Sequence, residues 1–144
     1  MEPRLTLITL GVDNLDRSRR FYAALGFRES SASNEHVAFL PAGGVVIALW
    51  DRASLAEDAH VPADGGGFRG FALAHNVRTT AEVDEVLAHA AACGGRIAKP
   101  AQTVFWGGYC GYFQDPDGFL WEVAHNPGMP LEADGRLQVP PPAA

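Results

Sequence analysis

Residues 106–122 read W-G-G-Y-C-G-Y-F-Q-D-P-D-G-F-L-W-E. At the centre, Asp115-Pro116-Asp117-Gly118 forms a turn for identifiable reasons. Asp115 accepts from backbone N–H groups two residues on, Pro116 presets φ at the second position, and Gly118 takes a positive φ at little cost. The flanking residues, 109–113 and 119–124, are rich in aromatic and apolar side chains and read as strands, so the stretch is a β-hairpin. Side chains alternate along a strand, so Leu120, Glu122 and Ala124 share one face and Phe119, Trp121 and Val123 the other. The second trio belongs against a core. Glu122 therefore faces either solvent or a cavity.

Upstream of this hairpin the same order of elements occurs twice. Residues 5–12 (L-T-L-I-T-L-G-V) are apolar on nearly both faces and read as a central strand. Asp13 or Asn14 caps a helix over about 15–25, with Leu15, Ser18, Tyr22 and Leu25 on one stripe and Gly26 ending it. Strands are then expected over 27–31, 36–41 and 45–50. Residues 51–67, rich in Ala, Asp, Gly and Pro, read as a linker with a helical turn near 54–58. The order then returns. Residues 70–77 (G-F-A-L-A-H-N-V) are a strand, and Thr79 with Glu82 forms a capping box for a helix that stops at Gly94-Gly95. Residues 96–99 are a short strand interrupted by Pro100, and the hairpin follows. The chain thus reads as an α+β protein of two β-α-β-β-β modules, about 4–50 and 68–126. They make a single domain over residues 1–126, with an irregular Pro-rich tail over 127–144.

The composition fits. With 144 residues, 47% of them hydrophobic and 19% charged, the chain can bury one real core. A net charge of −6 with scattered Lys and Arg argues against a nucleic-acid surface. No apolar run approaches the roughly 20 residues of a membrane span. No signal-peptide pattern precedes the first strand. Cys93 and Cys110 lack metal-type spacing and read as reduced thiols in a cytoplasmic setting.

The opening V-D-N-L-D-R-S-R-R-F-Y with L-G-F, the G-F-A-L-A-H-N-V strand and the closing Y-F-Q-D-P-D-G-F-L-W-E together resemble the vicinal oxygen chelate superfamily. That superfamily includes glyoxalase I, bleomycin- and fosfomycin-resistance proteins and extradiol dioxygenases. The resemblance implies paired modules forming a curved sheet around a cleft, and a homodimer, since members commonly pair modules across subunits. In metal-dependent members the first strand of each module carries a His or Gln ligand, and the last contributes a Glu or His. Here Leu7 and Ala72 stand at the first-strand positions, and Ala48, Leu49 and Trp50 end the first module; only Glu122 matches a ligand position. One carboxylate does not make a site for zinc, iron or manganese, so no metal cofactor is expected. His75 has the opposite parity to Ala72 and is expected to point away from the cleft.

The candidate site residues follow from this frame. Glu122 is the polar anchor for a ligand, or a catalytic base for proton transfer. Trp50, Trp106 and Tyr112 are candidate walls, with Trp106 read equally as binding surface or as core. Gly107-Gly108 beside it allows a close backbone approach. Thr9 and Asn76 fall on the cleft parity of their strands and can bond a ligand or the neighbouring backbone. The expected function is metal-independent binding of a small aromatic or amphipathic molecule, as in the antibiotic-sequestering members. An acidic cleft suits a cation. The alternatives are a glyoxalase-type lyase or isomerase and an extradiol-type dioxygenase.

Overall fold

The computed structural model describes Pro3 and residues 5–139, so Pro140 to Pro142 lie outside the described residues. The chain is mixed α+β; the described residues form a three-stranded sheet, a four-stranded sheet and three helices. It divides into two compact units. The first runs to Arg69 and takes in Pro116–Gly118; the second comprises Gly70–Asp115 and the chain from Phe119 onward.

In the first unit, β1 (Leu7–Val12), β2 (Val37–Pro41) and β3 (Val46–Asp51) form a sheet in the order β1-β3-β2, with β1 parallel to β3. Helix α1 (Leu15–Ala24) is capped by the Asn14 side chain, which accepts from the Arg17 N–H, and it buries Ser18, Phe21 and Tyr22. Strand β1 lies at the edge of its sheet, not at the centre as expected. Its second apolar face is explained by helix α2 (Arg52–Asp58), which packs against it: a methyl group at Gly11 would meet Arg52 Cα and Leu55 Cδ2, each at 3.3 Å. The linker's expected helical turn is this helix, capped by Asp51.

The strand expected over 27–31 does not form. One ladder-type bond to β2 forms, Ser30 N–H to Phe39 O at 2.8 Å, but Phe39 N–H goes to Ser33 Oγ and Ser33 N–H turns back to Ser30 O. Such local bonds compete with strand pairing. At the tip of the hairpin, the Asp117 carboxylate accepts from Asp13 N–H (2.9 Å), Ser18 Oγ (2.6 Å) and Arg17 (2.6 Å). This places a negative charge at the N-terminus of α1, where the helix dipole favours it.

In the second unit, β4 (Leu73–Asn76), β5 (Arg96–Thr103), β6 (Tyr109–Gln114) and β7 (Leu120–His125) form a sheet ordered β4-β7-β6-β5. Helix α3 (Thr80–Ala92) has the expected capping box: Thr79 Oγ1 accepts from Glu82 N–H, and the Glu82 carboxylate accepts from Thr79 N–H and Arg78 N–H. Pro100 does not end β5. The strand continues through it with two register shifts, which an edge strand tolerates. The hairpin turn forms, with Gly118 at φ +81°, and the Asp115 carboxylate accepts from Phe119 N–H. Val123 is fully buried and Phe119 and Trp121 nearly so, as the alternation requires.

Candidate functional site

The four-stranded sheet has two unlike faces. One is covered by α3: Gly111 lies beneath Leu87, and the Tyr109 hydroxyl donates to Asp84 on that helix at 3.0 Å. Residues of the other parity, Cys110, Tyr112, Glu122 and Ala124, therefore face away from the helix. In the register, Glu122 stands opposite Tyr112 on β6 and Ala74 on β4, while Ala124 stands opposite Cys110 and Asn76.

A cavity of about 630 Å³ opens on this second face. Its floor is Ala74 and Asn76 from β4 with Glu122 and Ala124 from β7. The small side chains of Ala74 and Ala124 leave the room, and Glu122 is the one ionisable side chain in the lining. A second wall is Trp106, on the loop joining β5 to β6, which is 41% exposed and so is not core. That loop closes through Val104 N–H to Gly108 O and Gly107 N–H to Val104 O, both 3.0 Å, with Gly107 at φ +88°. The Trp106 ring rests directly on Gly108, where any Cβ would overlap it. The glycine pair thus serves the indole of the same loop. The remaining lining, Asn126, Gly128, Met129 and Leu137, comes from the segment after β7.

Around Glu122 lies a connected polar group. The Tyr112 hydroxyl donates to Glu122 Oε1 at 2.9 Å, Lys99 Nζ sits 5.5 Å from the centre of the Tyr112 ring, and Lys99 also reaches Cys110 Sγ at 3.7 Å. Burial, then the hydrogen bond to the Glu122 carboxylate, pushes the Tyr112 phenol up to about 12. Burial likewise raises the Cys110 thiol, against the pull of Lys99. Both groups are neutral near pH 7, so Tyr112 acts as a hydrogen-bond donor that orients Glu122.

Of the expected residues, Asn76, Trp106 and Glu122 meet in this cavity, and Tyr112 touches Glu122 from beside it. Thr9 and Trp50 belong to the first unit, where Thr9 pairs with Ala48, and Trp50 with Gly11 and Val37. His75 does not line the cavity. Lys99 and the four residues from the C-terminal segment were missed from the sequence. A signal for the segment exists: Asp134-Gly135 between Leu131 and Leu137 is a hairpin pattern.

Among the described residues, no three His, Cys, Asp or Glu side chains converge as metal ligands, and Leu7 and Ala72 carry no donor atom. No helix among the described residues is long and apolar enough to cross a membrane.

A family model described as the Glyoxalase/Bleomycin resistance protein/Dioxygenase superfamily matches residues 4–123. The chain belongs to that superfamily. Within it, a glyoxalase-related enzyme from Fulvimarina pelagi is 37% identical over 95% of this chain and 98% of that one, with a TM-score of 0.85. A glyoxalase/bleomycin resistance protein/dioxygenase from Nocardioides is 29% identical (TM-score 0.71), covering 87% of this chain and 84% of that one. Lactoylglutathione lyase from Agrobacterium tumefaciens superposes at a TM-score of 0.66, covering 88% and 96%; its 23% identity shows a common superfamily fold alone. No curated protein matches the chain.

Proposed function

We propose that the protein binds a small aromatic or amphipathic amine in this cavity without a metal. The observation that carries the reading is the lining itself: one carboxylate, Glu122, held by Tyr112, in a cavity also lined by the exposed Trp106 and by Asn76. A cation is the ligand such a lining suits. Glu122 accepts a charge-assisted hydrogen bond, and the face of Trp106 attracts positive charge. The cavity lining does not include Thr9 or Trp50, whose reading as binding residues rests on their strand positions in the first unit alone. A homodimer and a cytoplasmic setting belong to the same reading. The first rests on the superfamily's pairing of modules, the second on the free thiols Cys93 and Cys110.

The test is a titration of benzylamine against benzyl alcohol, read by thermal shift and calorimetry. The amine binds more tightly by about tenfold, the equivalent of one charge-assisted hydrogen bond. Glu122→Gln removes that preference, and Trp106→Ala weakens both ligands. Equal binding of amine and alcohol, or no binding of either, overturns the proposal.

A second reading, a lyase or isomerase with Glu122 as proton-transfer base, is favoured by the Tyr112–Glu122 bond, which orients one carboxylate oxygen. Turnover of a hemithioacetal that is lost in Glu122→Gln supports it. The extradiol dioxygenase alternative needs two histidines beside a carboxylate, and no group of three metal-binding side chains is found among the described residues.

A further inference from the structure

The cavity's floor belongs to the sheet, but one wall does not. Asn126, Gly128, Met129 and Leu137 all follow residue 123, where the superfamily match ends. The segment that carries them is folded on itself. Leu131 and Leu137 form an antiparallel bridge, Glu132 N–H donates to Arg136 O at 2.8 Å, and Gln138 N–H to Pro130 O at 2.9 Å. Asn126 closes the turn at its start, its Oδ1 accepting from Gly128 N–H and its carbonyl from Met129 N–H.

One side chain holds this segment to the β4–α3 junction. Arg78 donates to Glu132 O at 2.8 Å and Leu131 O at 3.3 Å, with Ala133 O at 3.4 Å. Its own backbone is fixed, because Arg78 N–H donates to the capping-box carboxylate of Glu82 at 2.7 Å. An arginine just before a helix N-terminus gains nothing from the helix dipole. Its planar fork of donors instead matches a cluster of carbonyl oxygens. The helix cap, the guanidinium and the cavity wall are thus linked in series.

We propose that the segment 126–139 is the specificity wall of this cavity, with Met129 and Leu137 reading the size of the ligand's apolar part and Arg78 acting as the positioning residue. The proposal rests on the cavity being a ligand site. It assigns selectivity to residues beyond the stretch 4–123 that the superfamily model matches.

The experiment is calorimetric titration of 4-alkylbenzylamines, from the unsubstituted amine to the butyl compound. In the wild type, affinity rises about two- to fourfold per added methylene, as apolar burial requires. Arg78→Met flattens this increment and leaves benzylamine itself nearly unchanged, while Arg78→Lys retains part of it. Met129→Ser combined with Leu137→Ser flattens it without touching Arg78, which keeps the test intact if Arg78→Met fails to fold. A merely structural role for Arg78 lowers every affinity by the same factor and overturns the proposal. So does an increment that survives the double serine change, or a wild type that binds benzylamine with no increment. If no amine of the series binds the wild type, the cavity reading itself falls and this proposal falls with it.

Discussion

On one face of the β4-β7-β6-β5 sheet, Gly111 and Val123 pack under helix α3; on the other, Tyr112 and Glu122, the very next residues along the same two strands, share a hydrogen bond beside an open cavity. The covered face is apolar and closely fitted. The open face has small floor residues, a carboxylate, a phenol, a thiol and an ammonium within reach of one another. Strand alternation allows this division: chemistry on one face changes by single residues without disturbing the packing on the other. Substitutions one residue apart should therefore have opposite profiles.

The sharpest test is Gly111→Val. A Cβ at Gly111 would lie 2.6 Å from Leu87 Cδ1 and 2.9 Å from both Ala101 N and Lys99 O. The leucine can turn away, but the two backbone atoms cannot without moving β5. The expected loss is about 3 kcal/mol, seen as a drop in denaturation midpoint of roughly 10 °C. A loss below about 1 kcal/mol would mean that the two faces do not differ in fit as described.

The helix that covers the closed face depends in turn on its cap. Thr79→Ala removes the acceptor for Glu82 N–H and is expected to cost about 1 kcal/mol in chemical denaturation. The cap also gives that face a pH dependence. Backbone N–H donation from Arg78 first, and from Thr79, holds the Glu82 carboxyl below its usual 4.5. A depressed carboxyl contributes stability above its unfolded value and loses it as pH falls through the folded one, here below about 4.5. Glu82→Gln should therefore flatten the acid limb of the stability profile below that pH; an unchanged limb counts against the cap's role.

This contrast between faces was largely legible in the sequence, because alternation and caps are local. Phe119, Trp121 and Val123 declare a buried face by period alone, and Thr79 with Glu82 declares a helix start. What failed was set by competition or by tertiary partners. The strand expected at 27–31 lost its return bond from β2, because Phe39 N–H goes to the Ser33 side chain. The apolar second face of β1 suggested a central strand, when α2 supplied the cover. The cavity was half legible. Parity pointed to Glu122 and Asn76, and composition to Trp106, but the wall from 126–139 is built by Arg78 reaching carbonyls more than fifty residues away, for which no local pattern exists.

The smallest effect tests the open face alone. Glu122→Gln is expected to change stability by less than about 1 kcal/mol, since nothing on the covered face moves. It should, however, change a titration. Tyr112 is raised from 10.0 to about 12, by burial first and by the hydrogen bond to the Glu122 carboxylate second. A raised phenol favours folding fully below pH 10, and that contribution is lost as pH rises toward 12, because the unfolded chain ionises first. Removing the carboxylate leaves the burial and takes away its partner's charge. The Tyr112 phenol should then ionise at lower pH, part of the way back to 10.0, with the Tyr112→Phe difference spectrum identifying the band. If it still titrates near 12 in Glu122→Gln, burial alone sets it. The phenol then does not orient the carboxylate, and Glu122 is a mobile floor charge that must be ordered by its ligand.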